Sequence, residues 1–150
     1  MMNDILNNII SGISQAINTE FNATENTHEI YAENVSQGLT TPCFSIVHLL
    51  TTKTDKLGTR NLRTYSFNVH YFPKDKLNSN RECNTVAERL TRCLEYINIL
   101  DNTLQGIKIS SEINDDVLHF FVTYEMFVQE PKEGEAMQRL IQSVELKEGV

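Results

Sequence analysis

The stretch LRTYSFNVHYF, at residues 62–72, decides the fold because apolar and polar side chains alternate along it. Successive side chains of a β-strand point to opposite faces of the sheet. One face of this strand therefore carries the large apolar residues Tyr65, Phe67, Val69 and Tyr71. The other face carries the polar residues Thr64, Ser66, Asn68 and His70. The pattern predicts a strand with one face on a core.

The segment before this strand, residues 43–52, is also rich in strand-forming residues. It places Phe44, Ile46, His48 and Leu50 on one face, and Val47 and Leu49 on the other. We expect both faces to be at least partly covered. A polar link of about nine residues, 53–61, joins the two strands. The pair predicts a long antiparallel hairpin whose tip projects from the body.

Three further segments predict strands. Residues 106–113 and 117–128 alternate around an acidic turn, Asn114-Asp115-Asp116, and predict a second hairpin. Residues 28–35 predict a short strand around Ile30 and Tyr31.

Apolar residues at helical spacing predict helices over residues 2–19 and 84–99, and a short C-terminal helix over 135–144. Asn3 or Asp4 can cap the first helix, and Asn80 or Asn84 the second. Gly12 is expected to weaken the middle of the first helix by about 1 kcal/mol relative to alanine.

These elements predict an α+β fold, in which a mainly antiparallel β-sheet with a long projecting hairpin packs against an N-terminal helix and a central helix. The 150 residues suit a single domain over residues 1–150.

The charge balance restricts the function. Thirteen basic and twenty acidic side chains leave a net charge of −7, which argues against a sequence-independent grip on nucleic-acid phosphates. No apolar run is long enough to span a bilayer, and the N-terminal residues lack the pattern of a signal peptide. We therefore expect a protein that is intracellular when made, with no membrane partner.

Cysteines and histidines give no recognisable site. Cys43, Cys83 and Cys93 form no CxxC pair, and we interpret all three as buried apolar side chains in a reducing compartment. The four histidines, His28, His48, His70 and His119, are interpreted as partly buried imidazoles. A metal site from His48, His70 and His119 would need a fourth ligand that no spacing announces. We expect no metal and no cofactor.

No motif supports catalysis. A nucleophilic cysteine would need a neighbouring histidine, which the sequence does not demonstrate. Glu112, Asp115 and Asp116 are explained by the geometry of a turn. Phosphate-binding loops, nucleophile elbows and zinc-protease motifs do not occur in the sequence. We expect no catalytic residues and a protein that acts through its surfaces, not an enzyme.

Five segments, in order, resemble a tail-terminator family of bacteriophages and phage-like particles. They are IYAENVSQGL at 30–39, PCFSI at 42–46, YSFNVHYFP at 65–73, Glu82-Cys83 with VAERL at 86–90, and DVLHFFVTY at 116–124. The resemblance extends over residues 28–146. Gln37, Gly38, Pro42 and Cys43 match the family pattern and are interpreted as residues that set turns and strand starts.

The resemblance implies a ring, usually of six copies, that caps the head-proximal end of the tail tube, ends tube and sheath polymerisation and joins the tail to the neck. The implied partners are further copies of the chain, the tube protein, the sheath protein and the neck or head connector. The implied location is a virion or a headless phage-like particle assembled in the bacterial cytoplasm. Six copies at −7 each carry a formal charge of about −42, which agrees with DNA passing through the lumen without specific binding.

The hairpin tip is the candidate interface, because it is too polar for a core. Its candidate contact residues are Lys53, Asp55, Lys56, Leu57, Arg60 and Arg63. We expect the two arginines to bind acidic partner groups, since a guanidinium binds carboxylates bidentately. An ordinary solvated loop is the alternative. Two alternative functions also stay open at this point: a neck or head-completion protein, and a small ligand-binding or enzymatic α+β domain.

Overall fold

The structure is a computed structural model, which describes residues 4–33 and 38–130. Two helices and six strands follow one another in the order α1 Ile5–Phe21, β1 Glu29–Tyr31, β2 Cys43–Asp55, β3 Arg60–Phe72, α2 Ser79–Cys93, β4 Tyr96–Ile99, β5 Asn102–Asn114 and β6 Val117–Gln129. The predicted α+β class with a mainly β-sheet architecture is confirmed. The predicted C-terminal helix at 135–144 lies outside the described residues.

The six strands form one sheet in the order β1-β2-β3-β6-β5-β4. β1 pairs with β2 in parallel, from Glu29 opposite Cys43 to Tyr31 opposite Ser45. β5 is antiparallel to both β4 and β6. A register shift between Ile107 and Ser110 interrupts the β5–β6 pairing, and Lys108 has a φ of 55° there. The sheet is therefore mainly antiparallel, as predicted.

The described residues belong to two compact units. The first contains the residues up to Thr51 together with Thr64–Glu125, and the second contains Thr52–Arg63 with residues 126–130. The single domain over residues 1–150 stays a prediction.

The core of the first unit is built from the residues whose periodicity predicted it. The apolar face of α1 buries Ile5, Ile9, Ile13 and Ile17 as predicted, and also Phe21, which lies beyond the predicted end of the helix. The predicted face of β3 buries Tyr65, Phe67, Val69 and Tyr71, and β6 buries Leu118, Phe120, Val122 and Tyr124. The Tyr124 hydroxyl donates to the Leu94 carbonyl at 2.6 Å, so this buried polar group is satisfied.

The prediction of a central helix that continues to residue 99 is wrong. α2 ends at Cys93, and Tyr96–Ile99 form β4 against β5. Ile97 caused the error, because it fits helical spacing after Leu90 and Leu94 and also alternates with Ile99 along a strand. Both isoleucines are buried in the strand arrangement. The residue at the N-cap of α2 is Asn78, before the predicted Asn80 or Asn84.

The first helix begins three residues later and ends two residues later than predicted, at Ile5–Phe21. Asp4 is at its N-cap position without a side-chain capping bond, and its carboxylate accepts from the Asn7 side chain at 3.0 Å. Cys43 and Cys83 are buried as predicted, whereas Cys93 is only half-buried.

Two expectations for the first hairpin also need correction. The link between β2 and β3 has four residues, 56–59, where about nine were expected, because both strands continue through threonine-rich and charged positions. The expectation that both faces of β2 are covered is wrong near its middle. Leu49 and Leu50 are 50% and 57% exposed.

Candidate functional site

The six candidate interface residues all lie in the second unit, on Thr52–Arg63. In the same unit, residues 126–130 come from the end of β6 and the position after it. The structure thus places Met126, Phe127, Val128, Gln129 and Glu130 beside the predicted tip. No sequence pattern pointed to them, because Phe127 and Glu130 lie more than sixty residues further along the chain.

The turn at residues 56–59 presents an apolar side chain to solvent. The Lys56 amide donates to the Arg60 carbonyl at 2.9 Å, and Gly58 has a φ of +69°, a conformation that side-chain-bearing residues rarely adopt. Leu57 is 92% exposed at this turn. The Leu57 side chain is therefore accessible to a partner.

The Arg60 guanidinium packs on an aromatic ring of its own unit. Its guanidinium carbon lies 4.4 Å from the centre of the Phe127 ring, which is a cation–π contact. Phe127 itself is 54% exposed. The pair forms a mixed aromatic and cationic surface of a kind that protein interfaces favour.

Arg63 is committed to a carboxylate within the chain. Its Nη2 donates to Glu130 Oε1 at 2.6 Å, and its Nε donates to Asn61 Oδ1 at 3.0 Å. The Asn61 amide donates to the same Glu130 oxygen at 3.3 Å. Hydrogen bonding from Arg63 holds the pKa of Glu130 below its usual range. Arg63, which was expected to bind a carboxylate of a partner, thus bonds Glu130 and Asn61 of its own chain.

Lys53 and Asp55 form a long, exposed ion pair. Lys53 Nζ lies 3.9 Å from Asp55 Oδ1, and both side chains are exposed. An exposed ion pair at this distance contributes little to folding. Lys56 is exposed as well. The charges of Lys53, Asp55 and Lys56 remain accessible to a partner.

The histidines occupy packed positions in the first unit. His48 contacts the Phe67 ring at 5.5 Å between centroids and shares a hydrogen bond of 2.7 Å with Thr51 Oγ1. The His70 and His119 rings meet edge to face at 4.6 Å. Within residues 4–33 and 38–130, no three His, Cys, Asp or Glu side chains are grouped to hold a metal ion.

Burial keeps the three cysteines as thiols. It raises the pKa of Cys43 and Cys83 to about 11, and that of Cys93 to about 12. A nucleophilic cysteine needs the opposite shift, because the thiolate is the reactive form. These cysteines are explained by packing.

A cleft of about 440 Å³ in the first unit is lined by His28, Tyr71, Glu82 and Arg89, among others. The charged side chains of Glu82 and Arg89 in this cleft bond other residues of the same chain. Glu82 accepts from the Tyr71 hydroxyl, and Arg89 donates to the carboxylate and the carbonyl of Glu20 while lying 4.1 Å from the centre of the Phe21 ring. The cleft is thus lined by groups that hold helices and strands together.

Two histidines make stability depend on pH. Burial lowers the pKa of His28 and His70 from the ordinary value of 6.5, assisted by Arg89 near His28 and by His119 near His70. Below pH 6.5 these two imidazoles bind protons more readily in the unfolded chain than in the folded chain. Their neutral forms therefore leave stability unaffected above pH 6.5, and the free energy of unfolding falls as the pH drops below that value. We expect the thermal midpoint to fall between about pH 7 and pH 5, with a flatter profile in His28→Gln/His70→Gln. Equal slopes for the wild type and the double variant would contradict this assignment.

Neither described helix is long and apolar enough to cross a membrane.

Comparison with known proteins gives one family. A model of the family described as "Phage tail terminator protein" matches residues 8–136. No curated protein matches the chain. The family match covers α1 from residue 8 onwards, α2, all six strands of the sheet and the candidate tip.

Proposed function

Because the chain belongs to the phage tail terminator protein family, a structural family of the phage tail, we propose that it forms a hexameric ring on the head-proximal end of the tail tube. The ring ends the polymerisation of tube and sheath and provides the surface on which the neck or head connector docks. The family match over residues 8–136 is the observation that carries this proposal.

The charge of the chain agrees with a ring through which DNA moves. Each copy carries −7, so closely spaced copies repel phosphates on the whole, which argues against a sequence-independent grip. DNA therefore passes without specific binding. The placement of acidic groups around the lumen then controls how freely it slides.

We assign the contact with a neighbouring tail component to the tip that carries Lys53, Asp55, Lys56, Leu57, Arg60 and Arg63. Three features support this assignment. Leu57 is nearly fully exposed, Arg60 and Phe127 form an exposed cation–π pair, and the charges of Lys53 and Lys56 are accessible. Arg63 acts differently from the others, because it holds Glu130 and Asn61 and so shapes the tip.

The double variant Lys56→Glu/Leu57→Asp tests the tip. Both side chains are exposed, so we expect an unchanged thermal midpoint. We expect the fraction of tails that carry the chain to fall about tenfold, since an apolar anchor and a charge at the centre of a contact are lost. Gold labelling of the chain on isolated tails measures this fraction.

Leu77→Asp is the matched control, because Leu77 is 95% exposed and belongs to the first unit, not to the tip. Tails that carry the control and the double variant equally would contradict the assignment. Gold at the end of the tail distant from the head would contradict the proposed location.

A further inference from the structure

Among residues 4–33 and 38–130, two edges of the sheet are open along part of their length. β1 covers one side of β2 only from Cys43 to Ser45, and β3 occupies the other side. β4 covers one side of β5 only from Asn102 to Gln105, and β6 occupies the other side. In the part of the chain that the structure describes, no strand pairs with the outer side of residues 46–51 of β2 or of residues 110–114 of β5.

An open edge exposes a row of backbone donors and acceptors and invites another strand. Soluble proteins guard such edges with charges, prolines or bulges. Residues 46–51, IVHLLT, contain no charge and no proline, and Leu49 and Leu50 are half exposed there. On β5, the register shift lies before residues 110–114, and that segment pairs regularly with β6. Neither segment contains a proline, and the one charged residue in the two segments is Glu112.

The two edges run in opposite directions. β2 and β3 form a hairpin, and β5 is antiparallel to β6. Ser66 bonds Thr123 and Asn68 bonds His119, so residue numbers rise along β3 as they fall along β6. β2 therefore runs parallel to β6 and antiparallel to β5. When a second copy is related to the first by rotation about an axis parallel to the strands, its strands keep their directions. The β2 strand of the second copy is then antiparallel to the β5 strand of the first.

We propose that residues 46–51 of one copy pair with residues 110–114 of the next copy, so that the sheets of neighbouring subunits become continuous. This contact joins two different surfaces, and repeating it around an axis closes a ring in which these edges are covered. The inference rests on the proposed ring and identifies the strands that build it.

The faces of the two segments restrict the register. Leu50 lies on the same face of β2 as the buried Ile46, because the two residues are four positions apart along the strand. Ile113 lies on the same face of the sheet as its pairing partner, the buried Leu118. Leu50 and Ile113 therefore lie on the core face of their strands. Since paired residues point to the same face, Leu50 lies opposite Ile113 or its same-face neighbour Ser111.

Disulfide formation between copies tests the contact directly. The variants Leu50→Cys/Ile113→Cys and Leu50→Cys/Ser111→Cys are placed in assembled tails and oxidised, in a Cys93→Ser background that removes the one native cysteine that is only half-buried. We expect at least one to give a ladder of covalent multimers that ends at the ring size and returns to monomer on reduction. Leu50→Cys and Ile113→Cys alone are the controls and stay monomeric, because paired strands bring only opposite cysteines within disulfide reach.

Edge charges give a second test that needs no disulfide. Leu49→Lys and Leu50→Lys add a charge to an exposed edge position, and Leu77→Lys adds it at an exposed position on no strand. We expect the two edge variants to reduce the copies per tail at least tenfold, and the control to leave the number unchanged.

The outcomes separate this inference from the proposed function. Tails that carry the double-cysteine chains without any multimers, or that carry Leu50→Lys as fully as Leu77→Lys, overturn the edge pairing and leave the terminator role intact. Tails that lack the wild-type chain altogether overturn the proposed function, and the edge pairing with it.

Discussion

Gly12→Ala is expected to destabilise the protein by about 1–3 kcal/mol, although alanine is the better helix former. A Cβ at residue 12 would lie 2.8 Å from the Asn98 carbonyl oxygen and 3.2 Å from Ile99 Cγ2. A carbonyl oxygen of the β4 backbone cannot rotate away as a flexible side chain can. Either α1 or β4 must move, and the shift disturbs the core beneath them.

Urea unfolding followed by circular dichroism measures this effect. Ser11→Ala is the matched control, because Ser11 is exposed in the same turn of α1 and gains only helix propensity. We expect a midpoint near or slightly above that of the wild type for the control, and a clearly lower one for Gly12→Ala. A stabilised Gly12→Ala protein would mean that α1 and β4 do not approach as closely as the structure shows.

Glu82→Ala is expected to cost about 2–4 kcal/mol, because one carboxylate satisfies three donors. It accepts from the Tyr71 hydroxyl at 2.5 Å, from the Lys74 amide at 2.8 Å and from the Asp75 amide at 3.0 Å. Tyr71 is almost completely buried, so its hydroxyl would lose its partner where water has little access. The exposed Glu88→Ala on the same helix is the control, with an expected change within about 0.5 kcal/mol.

Acid provides a second measurement on Glu82. Partial burial opposes its ionisation, but the hydrogen bonds from Tyr71, Lys74 and Asp75 outweigh that effect and hold the pKa of Glu82 below the ordinary 4.5. The contribution of the ionised carboxylate to stability is present above pH 4.5 and disappears as the pH falls through the lowered pKa. The difference between the wild type and Glu82→Ala should therefore shrink in acid. A difference independent of pH would show that Glu82 acts through packing alone.

Sequence patterns predicted the parts of the fold that local periodicity controls. The alternation at residues 62–72 identified the buried face of β3 correctly, because a sheet with one face on a core needs that pattern. Ile97 fitted two periodicities, and only its pairing with Leu104 on β5 decides between helix and strand. Gly12 was predicted to be a weak point of a helix, but its role depends on the approach of Asn98, far along the chain.

The candidate site shows the same division. The tip and its exposed Leu57 were predictable, because a polar link between two strands forms a loop. The contacts of Arg60 with Phe127 and of Arg63 with Glu130 were not predictable, because they join residues more than sixty positions apart. The open edges of β2 and β5 depend on strand order, which no local pattern contains.

The length of tails assembled without this chain is the most direct measurement of the terminator role. In a host whose tail genes are intact except for this one, electron microscopy should show tubes of variable length, many of them longer than normal and none joined to a neck. Supplying the wild-type chain in trans should restore a single length. Tails of normal, uniform length in the absence of the chain would contradict the proposal that it ends tube polymerisation.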